Sequence, residues 1–142
     1  MIYTETTKKA MLLCYEAHRG QTDKSGVPYV FHPIHLAEQM RDEDTTVTAL
    51  LHDVIEDTVY TFDDLVKMDF SENVITALKL LTHDKSVPYM EYVAKIKENP
   101  VAKAVKLADL AHNSDLSRLN SVDDKVRSRI QKYEAAKKLL LE

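Results

Sequence analysis

The chain carries at residues 101–113 the stretch VAKAVKLADLAHN, which is apolar on almost every side when it is placed on a helix. A helix of that kind usually lies at the centre of a domain, surrounded by other elements. Asp109 stands in the middle of the stretch, where an ionised carboxylate is costly unless it is paired or bound to a metal. The segment therefore predicts a central helix in which Asp109 binds a metal, the interpretation we favour, or pairs with Lys106 one turn before it.

The rest of the chain indicates an all-α fold. Its 142 residues suit one domain, and 44% hydrophobic residues are enough for one core. Only 2 glycines and 4 prolines are present, which favours helices over a turn-rich β fold because helices tolerate few of either. Capping residues and hydrophobic periodicity predict a single compact globule of about eight helices over residues 1–142. The expected helices cover roughly residues 4–18, 44–57 and 71–82, and others begin near residues 33, 61, 88, 100 and 121.

Composition also restricts the partners and the compartment. The net charge is −4 and no stretch concentrates Lys and Arg, so nucleic acid is not an expected partner. No apolar stretch approaches the roughly 20 residues needed to cross a bilayer, and the N-terminus lacks the pattern of a signal peptide. We therefore predict a cytoplasmic protein without a membrane partner, whose oligomeric state the sequence leaves open. Cys14, the only cysteine, lies in an apolar run and is interpreted as a buried core residue.

A second stretch, ALLHDVIED at residues 49–57, carries titratable side chains on one face of a predicted helix. Its apolar residues form a stripe, and the opposite face holds His52, Asp53, Glu56 and Asp57. One interpretation is an exposed acidic face. The other uses the spacing, because Glu56 follows His52 by one turn and Asp57 follows Asp53 by one turn. The adjacent pair could then bind a metal while the next turn offers carboxylates to the attacking water.

A third candidate is His32, whose position is fixed by the proline that follows it. A single histidine is more often structural than a metal ligand. Together with the candidates above, however, it completes a set of two imidazoles and two carboxylates. The set consists of His32, His52, Asp53 and Asp109. Such a mixture of nitrogen and oxygen donors suits a divalent transition ion such as Mn²⁺ or Fe²⁺, and it lacks the thiolates of a structural zinc site.

These residues together resemble the HD superfamily, and in finer detail the hydrolase domain of RelA/SpoT proteins and the free-standing small alarmone hydrolases. The resemblance spans nearly the whole chain, and its most specific part is the doublet His52-Asp53 followed by Glu56-Asp57. The matching strings are KSG at 24–26, PY at 28–29, HP at 32–33, ALLHDVIEDT at 49–58 and VKLAD at 105–109, continuing to Asn113.

That family removes the 3′-pyrophosphate from (p)ppGpp with Mn²⁺, so the resemblance implies a metal-dependent phosphohydrolase that acts on a small phosphorylated nucleotide. The metal ligands would be His32, His52, Asp53 and Asp109. Glu56 and Asp57 would orient or deprotonate the attacking water. The resemblance also implies a set of substrate-binding residues, which are Lys24, Lys85, Asn113, Arg129 and Tyr133. Without the resemblance, Lys85, Arg129 and Tyr133 would be interpreted as ordinary surface charge and packing.

Two positions depart from the family pattern. Asp23 and Asp115 stand where the family tends to have arginines, so both place negative charge near the expected nucleotide. Because the first of these arginines packs on the guanine base, we predict weak base recognition, and a lower KM for (p)ppGpp in Asp23→Arg. The departures favour an HD hydrolase of another nucleotide or phosphoester as the first alternative. A catalytically silent nucleotide-binding module is the second, although such a module would not need Glu56 and Asp57.

Overall fold

The regular structure consists of nine α helices and one short 3₁₀ turn, in a computed structural model that describes residues 1–142. The elements are α1 (Glu5–Ala17), α2 (Phe31–Glu38), α3 (Glu43–Leu51), α4 (Val54–Asp57), α5 (Phe62–Lys67), α6 (Glu72–Leu81), α7 (Tyr89–Lys97), α8 (Pro100–Asn113), the 3₁₀ turn Leu116–Arg118 and α9 (Asp124–Leu141). The expected all-α fold is confirmed. No helix combines the length and the apolar character that a bilayer span requires.

Side-chain caps determine where several helices begin. Thr61 and Asp64 form the expected capping box before α5, each side chain accepting a backbone N–H of the other residue. Ser71 caps α6 as expected, because its hydroxyl accepts a backbone N–H of the first turn. The last helix begins after Asp123 and not directly after Ser121, since the Asp123 carboxylate is the group that caps it.

The helix predicted over residues 44–57 is divided into α3 and α4. Asp53 has φ −106° and ψ 0°, so the backbone leaves the helical path between Leu51 and Val54. Both neighbours of the break remain fully buried, which is why the apolar stripe does not reveal it. On a continuous helix, adjacent side chains point about 100° apart. The break allows the side chains of His52 and Asp53 to approach one point.

Helices α3 and α8 form the centre of the domain. Helix α3 packs against α1, α2, α6 and α8, and α8 packs against α2, α3, α6, α7 and α9. The prediction of a central helix around Asp109 is therefore confirmed, and this residue is only 8% exposed. Cys14 is fully buried in α1, and burial raises the pKa of its thiol to about 12, as expected for a core residue.

The loop between α1 and α2 is ordered by its own polar contacts. Gly20 and Gly26 adopt φ values of 81° and 84°, a region that other residues rarely enter. The Oδ1 atom of Asp23 accepts the backbone N–H groups of Ser25 and Val27, at 2.8 and 3.0 Å. These contacts give the loop a fixed shape directly before the first turn of α2.

Candidate metal centre and active site

Three buried side chains from three helices converge at one point. His32 lies in the first turn of α2, His52 follows the end of α3, and Asp109 stands in the middle of α8. Their ligand atoms all lie within 4.8 Å of one another. Asp109 Oδ1 is 3.0 Å from His32 Nε2 and 3.6 Å from His52 Nε2. The cluster has the donor atoms and the spacing that a single divalent ion needs.

Asp53, the fourth predicted ligand, reaches the same point because the backbone turns between α3 and α4. Its Oδ2 lies 3.0 Å from His52 Nε2 and 4.0 Å from His32 Nε2. The hydroxyl of Tyr29 donates a hydrogen bond to this oxygen and holds the carboxylate in place. The structure thus brings all four predicted ligands together, and these four side chains are called the metal cluster below. It also adds Tyr29, a partner of Asp53 that sequence reasoning missed.

The hydrogen bonds of His52 identify the ring nitrogen that is free for a metal. Its Nδ1 lies 2.7 Å from the carbonyl oxygen of Ala49, so Nδ1 carries a proton and donates it. In the neutral ring, Nε2 holds a lone pair, and this atom is buried without a hydrogen-bond partner. Burial opposes a charged ring, but the negative charges of Asp53 and Asp109 outweigh it and raise the pKa of His52, so without a metal they favour a proton on Nε2, which a metal ion would replace. A lone pair directed at two carboxylates needs a cation between them, so these residues fit a metal ion.

His32 is oriented by His112. The two Nδ1 atoms lie 2.7 Å apart, so one ring must donate a proton to the other. Partial burial and the nearby charge of Arg118 lower the pKa of His112 to about 4, which keeps this ring neutral near pH 7. When His32 donates from Nδ1, its Nε2 presents a lone pair to the metal cluster. His112 is therefore an orienting partner and not a ligand.

Asp109 both pairs with Lys106 and faces the candidate metal position, because its two carboxylate oxygens make different contacts. Oδ2 pairs with Lys106 Nζ at 3.1 Å, whereas Oδ1 faces His32 and His52. Asn113 also donates to Oδ1, at 2.9 Å. Burial favours the neutral acid, but the charge of Lys106 holds the pKa of Asp109 well below its ordinary value. Asp109 is therefore ionised and fixed at both ends.

Glu56 and Asp57 follow the metal cluster on α4. Glu56 lines a cavity next to the cluster and accepts a hydrogen bond from the backbone N–H of His83. Partial burial raises the pKa of the Glu56 carboxyl, and the negative charge of Asp53 acts in the same direction. The pKa of Asp57 is raised for the same two reasons, but its side chain does not line this cavity. A raised pKa makes a carboxylate a better proton acceptor, which suits a general base.

Two cavities meet beside the metal cluster. The inner cavity, of about 180 Å³, adjoins three of the four predicted ligands, and the cations Lys106 and Lys132 form part of its wall. The outer cavity, of about 340 Å³, extends outward from His32. Asn113 and Tyr133 line both cavities and mark the place where they join. Together the two cavities offer separate spaces to a charged group and to the rest of a ligand.

The structure brings four of the five predicted substrate-binding residues to these cavities. Lys24 and Arg129 line the outer cavity, whereas Asn113 and Tyr133 line both. Lys85 is exposed in the connection between α6 and α7 and lines neither cavity. The structure gives no support to Lys85 as a substrate contact, because its side chain is exposed to solvent and lies in neither cavity wall.

Two further cations in the cavity walls escaped sequence reasoning. Lys132 extends over the ring of Tyr89, 4.5 Å from its centroid, and lines the inner cavity. Arg118 lines the outer cavity. The only available signal for Lys132 was its place beside Tyr133 on the same helix. Arg118 had none, because its ion-pair partner Asp23 comes from a distant part of the chain.

The fold and the metal cluster are those of an HD domain. The sequence matches the HD domain family over residues 10–141, which includes every predicted metal ligand. The chain therefore belongs to this family.

Relatives with names and solved structures refine the comparison. The bifunctional (p)ppGpp synthase/hydrolase SpoT of Escherichia coli K12 is 36% identical over 137 residues, covering 87% of this chain and 19% of that protein. The chain thus spans about a fifth of the length of the SpoT proteins it matches. The guanosine-3′,5′-bis(diphosphate) 3′-pyrophosphohydrolase MESH1 of Danio rerio is 36% identical over 132 residues, covering 83% of this chain and 72% of that protein.

A solved structure shows the same architecture. It is described as a metazoan ortholog of SpoT that hydrolyzes ppGpp and plays a role in starvation responses. It superposes with a TM-score of 0.76 and 27% identity, covering 99% of this chain and 88% of that one. The resemblance to RelA/SpoT hydrolase domains and small alarmone hydrolases is confirmed.

Proposed function

We propose that this chain is an Mn²⁺-dependent phosphohydrolase that removes the 3′-pyrophosphate from (p)ppGpp. The observation that carries the proposal is the buried Nε2 of His52, which faces Asp53 and Asp109 where two cavities meet. The relatives support the substrate, because SpoT and MESH1 are named for (p)ppGpp hydrolysis. Residues 1–142 would then act as one HD-type domain.

Four side chains would hold the ion: His32, His52, Asp53 and Asp109. Their mixture of imidazole and carboxylate donors favours Mn²⁺, with Fe²⁺ as the other candidate. When bound, such an ion acidifies water and offsets the charge of a phosphate oxygen. Two ligand carboxylates balance the charge of a divalent ion, so a substrate with several phosphate charges needs further cations. Lys132 supplies one in the inner cavity, where Lys106 is already paired with Asp109.

The remaining side chains position the reacting groups and move the proton. Glu56 lies in the wall of the inner cavity, where its carboxylate can accept a proton from the attacking water. Asp57, on the same turn, adds negative charge and can orient that water. Tyr29 fixes Asp53, and Asn113 fixes Asp109, so the ligand atoms keep their positions when substrate enters. The outer cavity accommodates the nucleoside part of the substrate.

A second candidate is an HD hydrolase that acts on another nucleotide or phosphoester. The observation that favours it is Asp115, which lines the outer cavity with its carboxylate held by Ser117. A negative charge at this place disfavours phosphate groups in the outer cavity, such as the 5′-phosphates of (p)ppGpp, but it does not hinder a substrate whose only phosphate lies in the inner cavity.

A panel of phosphorylated nucleotides separates the two candidates. Purified protein with Mn²⁺ should release pyrophosphate from ppGpp and pppGpp faster than phosphate or pyrophosphate from any other nucleotide tested. The products are measured by ion-exchange chromatography. Faster turnover of another nucleotide or phosphoester would replace the proposed substrate, and binding of ppGpp without turnover would indicate a silent module.

Lys132→Met is expected to raise KM for (p)ppGpp about tenfold with little change in kcat. The change keeps the length of the side chain but removes a charge-assisted hydrogen bond to phosphate, worth roughly 1.5 kcal/mol. Steady-state kinetics with Mn²⁺ measure the effect. Lys138→Met, on an exposed position of the same helix, is the matched control and should behave as wild type. Equal KM values for the two variants would remove Lys132 from the phosphate site.

A further inference from the structure

Arg118 is a largely buried cation in the wall of the outer cavity, and its guanidinium is held from two sides. Nη1 donates to the carbonyl oxygen of His112 at 2.7 Å, and Nη2 lies 3.8 Å from Asp23 Oδ2. The backbone carbonyl of Arg118 accepts a hydrogen bond from Ser25 Oγ at 2.9 Å. These contacts join the 3₁₀ turn to the loop before α2, so the guanidinium has a defined position.

Asp23 is the partner of this cation and not a free negative charge. Its Oδ1 is occupied by the backbone N–H groups of Ser25 and Val27, and its Oδ2 faces Arg118. The side chains of both members of the ion pair are about three-quarters buried, at 25% and 23% exposure. The sequence-based expectation for Asp23 assumed a carboxylate that repels the ligand. The structure instead shows that the carboxylate is already balanced by an arginine.

The outer cavity that Arg118 lines combines apolar and polar wall residues, as a nucleobase requires. Leu119, Val126 and Ile130 give the same cavity an apolar part of its wall. Most N–H donors of the guanidinium remain without a hydrogen-bond acceptor, since only Nη1 makes a hydrogen bond. An apolar wall with a fixed donor at one edge can pack against a base and bind its polar edge.

We infer that Arg118 is a specificity-determining residue that binds the guanine base of the nucleotide through its O6 and N7 atoms. The inference rests on the proposed function, because it assumes that the 3′-pyrophosphate of the substrate lies in the inner cavity. Guanine presents two acceptors on this edge, whereas adenine replaces O6 with an amino donor. Arginine can only donate, so the residue favours guanine over adenine. Asp23 positions the guanidinium for this contact.

The test compares the binding of GDP, ADP and inorganic pyrophosphate in the presence of Mn²⁺, measured by titration calorimetry. GDP has no 3′-phosphate, so the measurement does not depend on turnover. In Arg118→Met, GDP should bind at least about tenfold more weakly, while ADP and pyrophosphate bind as in wild type. The ratio of the Kd of ADP to the Kd of GDP should therefore fall toward one. A general loss of structure would weaken all three ligands, and a melting curve of each variant reports it directly.

Arg127→Met is the matched control, since Arg127 is exposed on α9 and pairs only with Asp124. It should keep the GDP preference of wild type. An Arg118→Met protein that retains the full preference, or a wild-type protein that does not prefer GDP over ADP, overturns the inference.

Variants at Asp23 provide a second test that leaves Arg118 in place. Asp23→Asn keeps an acceptor for the backbone of the loop but loses the ion pair, so the GDP preference should fall about threefold. Asp23→Arg would place two guanidinium groups side by side and should weaken GDP binding further. This is the opposite of the result that the sequence predicts, and tighter GDP binding by Asp23→Arg would overturn the role of Arg118.

The outcomes also distinguish this inference from the proposed function. If the wild-type protein prefers GDP and loses this preference in Arg118→Met, the inference holds whether or not ppGpp is hydrolysed. If ppGpp is hydrolysed but Arg118→Met keeps the GDP preference, the proposed function holds and the inference fails.

Discussion

His52→Ala is expected to give a folded protein that no longer retains a divalent ion and no longer turns over substrate. The change removes the ring nitrogen that faces Asp53 and Asp109, but it leaves the ion pair between Lys106 and Asp109 intact. One imidazole ligand remains instead of two, and this smaller set of ligands binds a transition ion less tightly than the complete set does. Metal analysis of the purified protein should find nearly stoichiometric metal in wild type and only traces in the variant.

Thermal unfolding provides a readout that is independent of activity. An ion that binds only the folded state adds about 2.7 kcal/mol of stability at a hundredfold excess over its Kd. In a domain of this size, that corresponds to roughly 10 °C in Tm. Chelation should therefore lower the Tm of wild type by about this amount and leave the Tm of His52→Ala unchanged.

Two further variants make the metal prediction decisive. His35→Ala removes an exposed imidazole that stacks on His112 but contributes no atom to the cluster, so it should keep its metal. Asp109→Ala should lose the metal as His52→Ala does, at an added cost in stability because Lys106 is left buried without its partner. Full metal content in both His52→Ala and Asp109→Ala would show that the ion, if any, binds elsewhere.

The predictable part of the site is the part that each helix encodes by itself. The stretch around Asp109 is apolar on nearly every side, so a buried carboxylate follows from that segment alone. The doublet His52-Asp53 with Glu56 one turn later is likewise a local pattern. The sequence therefore predicted the all-α fold, the central helix and the side chains that meet at the cluster.

The unpredicted part depends on contacts between distant segments. The break at Asp53 is hidden because the residues on both sides of it remain in the core. The pairing of Arg118 with Asp23 joins a 3₁₀ turn to a loop near the other end of the chain, and no local pattern records it. Lys85 was predicted from the resemblance to bind substrate, but its side chain is exposed to solvent. Lys132, which the sequence did not indicate, lines the inner cavity instead.

Glu56→Gln is expected to lower kcat for (p)ppGpp hydrolysis by roughly 10²- to 10⁴-fold, the usual scale of general base catalysis. The amide has the size of the carboxylate and can still accept the hydrogen bond from the backbone of His83, so the cavity keeps its shape. It cannot take a proton from water. Metal content and KM should therefore stay close to wild type, because Glu56 is not among the residues of the metal cluster. Steady-state kinetics and metal analysis on the same preparations measure all three quantities.

Asp57→Asn separates the two carboxylates of α4. Only Glu56 lines the inner cavity, whereas Asp57 lies outside its wall, so Asp57→Asn should reduce kcat less than Glu56→Gln does. The sequence pattern treats the two residues alike, and the structure supplies the difference. A wild-type kcat in Glu56→Gln would remove this residue from proton transfer. If Asp57→Asn alone were inactive with full metal content, the base would be Asp57, and substrate would have to approach the cluster from outside the inner cavity.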